Sequence, residues 1–226
     1  MVLKKILTLL TAVSLIIGLA ACAAPNSGTV SGRAKDEITM DSIEVGEVSD
    51  DINRMMPAID AFLEYLRVNN DRIDLYDISC EDYWNIVCVV VSAWSEAYGE
   101  PQADKIGAFH LKYSVAEDFA KTFMYPFWYM NGGSPDYRQS YSVSADPGSG
   151  VLDLTPLHVD NYTAEITSIE PKDNTFILMV RLIPYLDSQD SYTYRLTLEY
   201  WDDAKEHVMA FRVVETEYGG RAKAVE

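Results

Sequence analysis

The chain is predicted to be an α+β protein: about three helices come first, then an antiparallel sheet of four long strands plus a hairpin. Between about residues 51 and 123, apolar residues recur at helical spacing. From Gln139 onward the period changes to two, and short turn-forming segments separate the apolar runs. Size agrees with one domain. Behind an apolar N-terminal segment and a polar stretch, roughly 175 residues remain, enough for a single core. Hydrophobic residues at 48% and aromatics at 12% are those of a globular chain rather than a disordered one.

The N-terminus reads as a targeting segment. Lys4 and Lys5 precede an apolar run from Ile6 to Leu19, followed by small residues. The run is shorter than the roughly 20 residues that span a bilayer. Leu19-Ala20-Ala21-Cys22 resembles the lipobox of bacterial lipoproteins. That resemblance implies removal of residues 1–21 and lipid on the thiol and new amino group of Cys22. It also implies a membrane anchor facing outside the cytoplasm, with the lipid as the link to the membrane. Ordinary secretion with cleavage nearby is the alternative.

Residues 22–48 carry Cys22 and then a stretch from Ala23 to Val48 rich in Ser, Gly, Asp and Glu, with no aromatic residue. Such a tether reaches roughly 25–30 Å on average. Residues 49–226 form the domain.

Formal net charge is −17, and loss of Lys4 and Lys5 makes the remainder more acidic still. A surface of that sign repels nucleic acid and anionic headgroups. No nucleic-acid partner is expected, and membrane contact is assigned to the lipid rather than to a basic face.

A first helix is expected from about Asp51 to Val68, with Ile52, Met56, Ile59, Leu63 and Leu66 on one stripe. Pro57 either kinks it or marks where its regular part begins. A second helix spans Cys80 to Tyr98. Ser79 can cap it, Asp82 stands at the capping-box position, and Gly99 supplies the stop. The β-branched run Ile86–Val91 also suits a buried strand, but length and paired caps favour the helix.

This helix bears on Cys80 and Cys88. An extracytoplasmic pair defaults to a disulfide. On one helix, however, the two lie about 12 Å apart along the axis, beyond the ~7 Å that a bridge spans. Two free thiols are expected.

Ser114-Val115-Ala116-Glu117 reads as a capping box opening a third helix, with Ala116, Phe119, Ala120 and Phe123 inward and Pro126 ending it. A loop is expected from Phe127 to Arg138. The hairpin is Ser140–Ala145 and Val151–Thr155 around Asp146-Pro147-Gly148-Ser149-Gly150. The long strands are Tyr162–Ile169, Thr175–Ile183, Tyr192–Trp201 and Val208–Thr216. Short connections make them antiparallel neighbours, a meander.

This element order resembles the cone-shaped fold of the nuclear-transport-factor-like and cystatin-like superfamily. The resemblance implies a curved sheet wrapped around the preceding helices. No sequence motif accompanies it, and function does not follow from fold.

Chemistry-bearing motifs are scarce. His110, His158 and His207 lack metal-ligand spacing, and no phosphate loop, nucleophile elbow or dinucleotide fingerprint occurs. His207 reads as a solvated strand end and His158 as a loop residue. His110 has no assignable carboxylate partner. No catalytic residue, metal or cofactor is assigned. The candidate site is the segment Tyr125-Pro126-Phe127-Trp128-Tyr129-Met130, with Tyr125, Phe127, Trp128 and Tyr129 as the binding residues, because Tyr and Trp offer large apolar area with a polar handle. The competing reading is that they plug one end of the core. A non-enzymatic ligand- or partner-binding module is expected. The alternatives are a small cone-fold enzyme with a His/acid pocket and self-association through the outer face of Thr175–Ile183.

Overall fold

Helix α1 (Val45–Val68) begins ahead of the expected Asp51 and takes in the last residues of the stretch read as tether. The computed structural model describes residues 45–102, 104, 107–145, 148–186 and 190–222, which leaves the targeting segment, Cys22 and most of the tether outside the described residues. Ile52, Ile59, Leu63 and Leu66 are buried as the stripe requires, and Met55, Ala58 and Phe62 widen it. Pro57 lies inside the helix without ending it. It removes the donor that the Asn53 carbonyl would have used. Beside that gap the Tyr98 hydroxyl donates to the Arg54 carbonyl at 2.8 Å.

Helix α2 (Cys80–Tyr98) has the expected bounds. The Ser79 side chain accepts from the Asp82 amide, and Gly99 closes the helix at φ 76°. Ten of its residues are buried, Ile86 to Val91 among them, so the β-branched run is a helix enclosed on most sides. Cys80 and Cys88 are free, and Cys88 is buried.

The chain then forms β1 (Phe109–Lys112), a strand the sequence reading did not contain. It runs directly into α3 (Tyr113–Phe123), which buries the expected Ala116, Phe119, Ala120 and Phe123. The expected capping box does not form: the helix starts before Ser114, and Lys112 stands at the cap with no side-chain bond. The Tyr113 amide instead donates to the Gly150 carbonyl at 3.0 Å, so strand pairing satisfies a donor that a cap would have taken.

At Met124 (φ −120°, ψ 35°) the chain breaks and a new helix, α4 (Tyr125–Asn131), begins. This corrects the expected loop. Pro126 falls in the first turn of α4, where a missing N–H costs nothing, so it opens a helix as well as ending one.

Strands β2 (Val143–Ser144) and β3 (Val151–Leu154) make the hairpin, and β1 joins it in the order β1-β3-β2. The long strands are β4 (Tyr162–Lys172), β5 (Thr175–Pro184), β6 (Ser191–Tyr200) and β7 (Phe211–Ala222), an antiparallel meander in sequence order. Among the described residues the architecture is therefore α+β: four α-helices, a four-stranded sheet and a small three-stranded sheet.

Leu178, Val180, Leu182, Tyr194, Leu196, Leu198, Phe211 and Val213 bury the inner face of the large sheet in one core shared with the helices. The outer face is laced with charge. Arg181 pairs with Glu165 at 2.6 Å, Arg195 with Glu217 at 2.9 Å, and Arg212 with Glu199 at 2.6 Å. The outer face of β5 is thus not the continuous apolar band that self-association would use, because Arg181 interrupts it.

The outer edge of β4 is met by α1. The Asp60 carboxylate accepts from the Ala164 amide at 2.9 Å. Glu64, itself buried, accepts from the amides of Asn161 and Tyr162 at 3.0 and 3.1 Å. Burial raises the Glu64 pKa, and these two amide bonds partly oppose the rise.

Candidate functional site

Tyr125, Phe127, Trp128 and Tyr129 all fall on α4, and helical spacing sorts them. Phe127 turns inward: its ring lies 5.4 Å from that of buried Tyr83, and it packs on the core. Of the four it has the contact with the core, while its own burial is intermediate, as is that of Tyr125 and Trp128. Tyr129 and Met130 are each 68% exposed. Gly132 ends the helix in the left-handed region at φ 69°, its amide bonded to the Trp128 carbonyl. That cap fixes the end of a helix only two turns long, and with it the direction of Tyr129 and Met130.

The exposed pair rests on a built aromatic layer. Tyr125 lies 6.5 Å from Trp128 with planes 24° apart, 5.8 Å from Tyr129, and edge-on to Trp201 at 6.1 Å. The Arg212 guanidinium sits 3.9 Å over Tyr125 and 4.5 Å over Trp201 while bonded to Glu199. Lys121 Nζ lies 4.4 Å over Trp128, and Glu117 accepts from both Lys121 and the Trp128 indole at 3.5 Å. Each cation therefore has an aromatic face and a carboxylate, which holds the layer rigid. Trp201 and Arg212 were not legible as site residues. Reading 127–138 as a loop hid the i, i+3, i+4 relation of Tyr125, Trp128 and Tyr129 that would have shown one shared face.

His110 and His207 depart from expectation, whereas His158 is the loop residue expected. His110 has two carboxylate partners: Nδ1 lies 2.6 Å from Asp153, its register partner on β3, and Nε2 lies 2.9 Å from Asp104. Hydrogen bonds to Asp104 first, then Asp153, raise its pKa. Its side chain is 48% exposed.

His207 is not a solvated strand end. Its Nδ1 bonds Asp118, its Nε2 lies 3.0 Å from Asp203, and its ring stacks on Trp201. Asp118 also accepts from the Val208 amide at 2.6 Å. His158 lies on the surface, 3.2 Å from Glu96. Among the described residues no group of three or more His, Cys, Asp or Glu is placed to hold a metal ion.

Among the described residues, surface cavities include the following. One of about 230 Å³ lies between the turn joining α1 to α2 and the inner face of β6 and β7, with Pro126 of α4 in its lining. A second, of about 490 Å³, includes Arg54, Trp94, Lys205 and His207. The third, of about 330 Å³, is bordered by Asp60, Glu64, Glu96 and Tyr185. His110 lines none of the three.

Comparison with protein families, with curated proteins and with solved structures finds no match to this chain.

Proposed function

We propose that this chain is a lipid-anchored, extracytoplasmic binding module that engages a partner through the aromatic surface of α4. The anchor rests on Cys22 following Leu19-Ala20-Ala21. One structural observation carries the binding role. Tyr129 and Met130 are both 68% exposed on a capped helix, backed by an aromatic layer clamped between Arg212 and Lys121. Exposed aromatics on a rigid support lose little conformational entropy on association.

An acid–base pocket is the second reading, and one observation favours it: His207, bonded to Asp118, lines the 490 Å³ cavity. Both ring nitrogens are already held by aspartates, so the ring can offer neither a proton nor a lone pair without breaking a bond. Binding is the better-supported reading.

The test uses the lipidated chain recovered from its own membranes. The double variant Tyr129→Ala, Met130→Ala is expected to lose the co-purifying partner while unfolding at the wild-type denaturant concentration. The same partner recovered equally from both proteins would refute the α4 surface. Cys22→Ala is expected to leave the membrane fraction, and equal retention would refute the anchor.

A further inference from the structure

We infer that the cavity of about 230 Å³ is a binding site for a small quaternary ammonium solute. The inference goes beyond the α4 surface, because neither Tyr129 nor Met130 lines this cavity.

Three tyrosines line it: Tyr194, buried in the core, and Tyr76 and Tyr218, both exposed. Tyr194 on β6 and Tyr218 on β7 are register partners, with ring centroids 5.6 Å apart and planes at 56°, so they make an angled corner. Tyr76, from the turn between the helices, adds an exposed third ring. A cation within about 6 Å of a tyrosine face is attracted by the ring quadrupole.

The charges have the matching sign. Asp71, Asp74, Glu215 and Glu217 line the cavity, and among the described residues no Lys or Arg does; Glu215 and Glu217 are both paired with Arg195. Asp71 is satisfied by the Tyr194 hydroxyl and by Arg67. Asp74 accepts from the Tyr76 amide at 2.9 Å and has no ion pair among the described residues. It is the carboxylate left to face an incoming cation.

These features select among cations. A primary ammonium brings three donors that need acceptors, and of the four lining carboxylates Asp71, Glu215 and Glu217 are already ion-paired, which leaves Asp74 alone. A methylated ammonium needs none and gains from the ring faces. The volume is below the ~300 Å³ at which drug-sized pockets begin, so the ligand is small. A small quaternary ammonium satisfies the exposed rings and Asp74 together.

The test is isothermal titration of the full lipidated chain in maltoside micelles. Choline is the probe, and 3,3-dimethylbutan-1-ol is its uncharged counterpart. Choline is expected to saturate one site, with the uncharged alcohol roughly tenfold weaker. Tyr218→Leu and Asp74→Asn are each expected to weaken choline severalfold at an unchanged unfolding midpoint, while Tyr129→Ala leaves it unaltered. No heat with millimolar choline, or equal binding of the neutral alcohol, would overturn the inference. A separate arm offers phosphatidylcholine vesicles. Capture by vesicles with no response to free choline would overturn the small-solute assignment in favour of a headgroup.

Discussion

The imidazole of His207 lies flat on the indole of Trp201, ring centroids 4.1 Å apart and planes 20° from parallel. The stack links a contact with α3 to a contact with α4. On one side His207 is tied to Asp118 of α3. On the other, Trp201 takes the Arg212 guanidinium on its face and the Tyr125 ring against it. The α4 surface is thus buttressed from the end of β6. His207→Ala should remove the stack and strip half-buried Asp118 of one partner, costing about 1–3 kcal/mol. His207→Phe keeps the stack and loses only the aspartate bonds. Urea unfolding of the two variants separates the contributions, and identical losses would show that the stack contributes nothing.

Truncation along α4 should divide by face. Phe127→Ala removes a ring packed on Tyr83 and is expected to cost about 3 kcal/mol. Tyr129→Ala touches a mostly exposed side chain and should cost less than about 0.5 kcal/mol. Denaturant midpoints check the order. A large loss for Tyr129→Ala would make it part of the core plug.

His110 should titrate above its ordinary pKa of about 6.5. The folded pKa is raised, so the stabilisation from the imidazolium is complete below the unfolded pKa. It is lost as pH rises through the folded one. Histidine NMR titration of Asp153→Asn should move the midpoint back toward the unfolded value. An unchanged midpoint would remove Asp153 as a cause.

Burial pushes the Cys88 thiol up to about 12. In the native protein Cys88 should resist alkylating reagents at neutral pH, since the thiolate is the nucleophile. After denaturation, Cys80 and Cys88 should both label without a reductant. Labelling that needs reduction first would mean a disulfide and an unwound start to α2.

Glu64→Ala should leave the amides of exposed Asn161 and half-buried Tyr162 without their acceptor, a loss of about 1–3 kcal/mol. Glu64→Gln keeps a carbonyl acceptor and should recover part of it. Thermal unfolding of the pair is the measurement.

The legible parts of the fold were those written locally. Ser79 and Gly99 bracket α2 within one stretch of sequence, and the alternation of Tyr194, Leu196 and Leu198 marks β6. Strand β1 was hidden because Phe109–Lys112 is too short to show a period. Helix α4 was hidden by Pro126, which marks a helix start as readily as a stop. At Ser114 a cap motif was present, but the helix began earlier because Tyr113 already had a partner in the hairpin. Two of the four carboxylate partners of His110 and His207 were out of reach for another reason. Asp153 and Asp118 stand 43 and 89 residues from His110 and His207, and only the tertiary fold brings them near.

The carboxylates of Asp60 and Glu64 also decide what neighbouring molecules can do to one another. An open strand edge is a template on which a second chain can add, and the hazard grows with local concentration. Tethering to a membrane would confine this protein to a thin layer and raise that concentration sharply. Along β4 the amides of Tyr162 and Ala164, which an incoming strand would need, are already claimed by a helix of the same chain. Crowded copies therefore meet a closed border there, and the sheet cannot be extended across that part of β4 unless α1 first comes away.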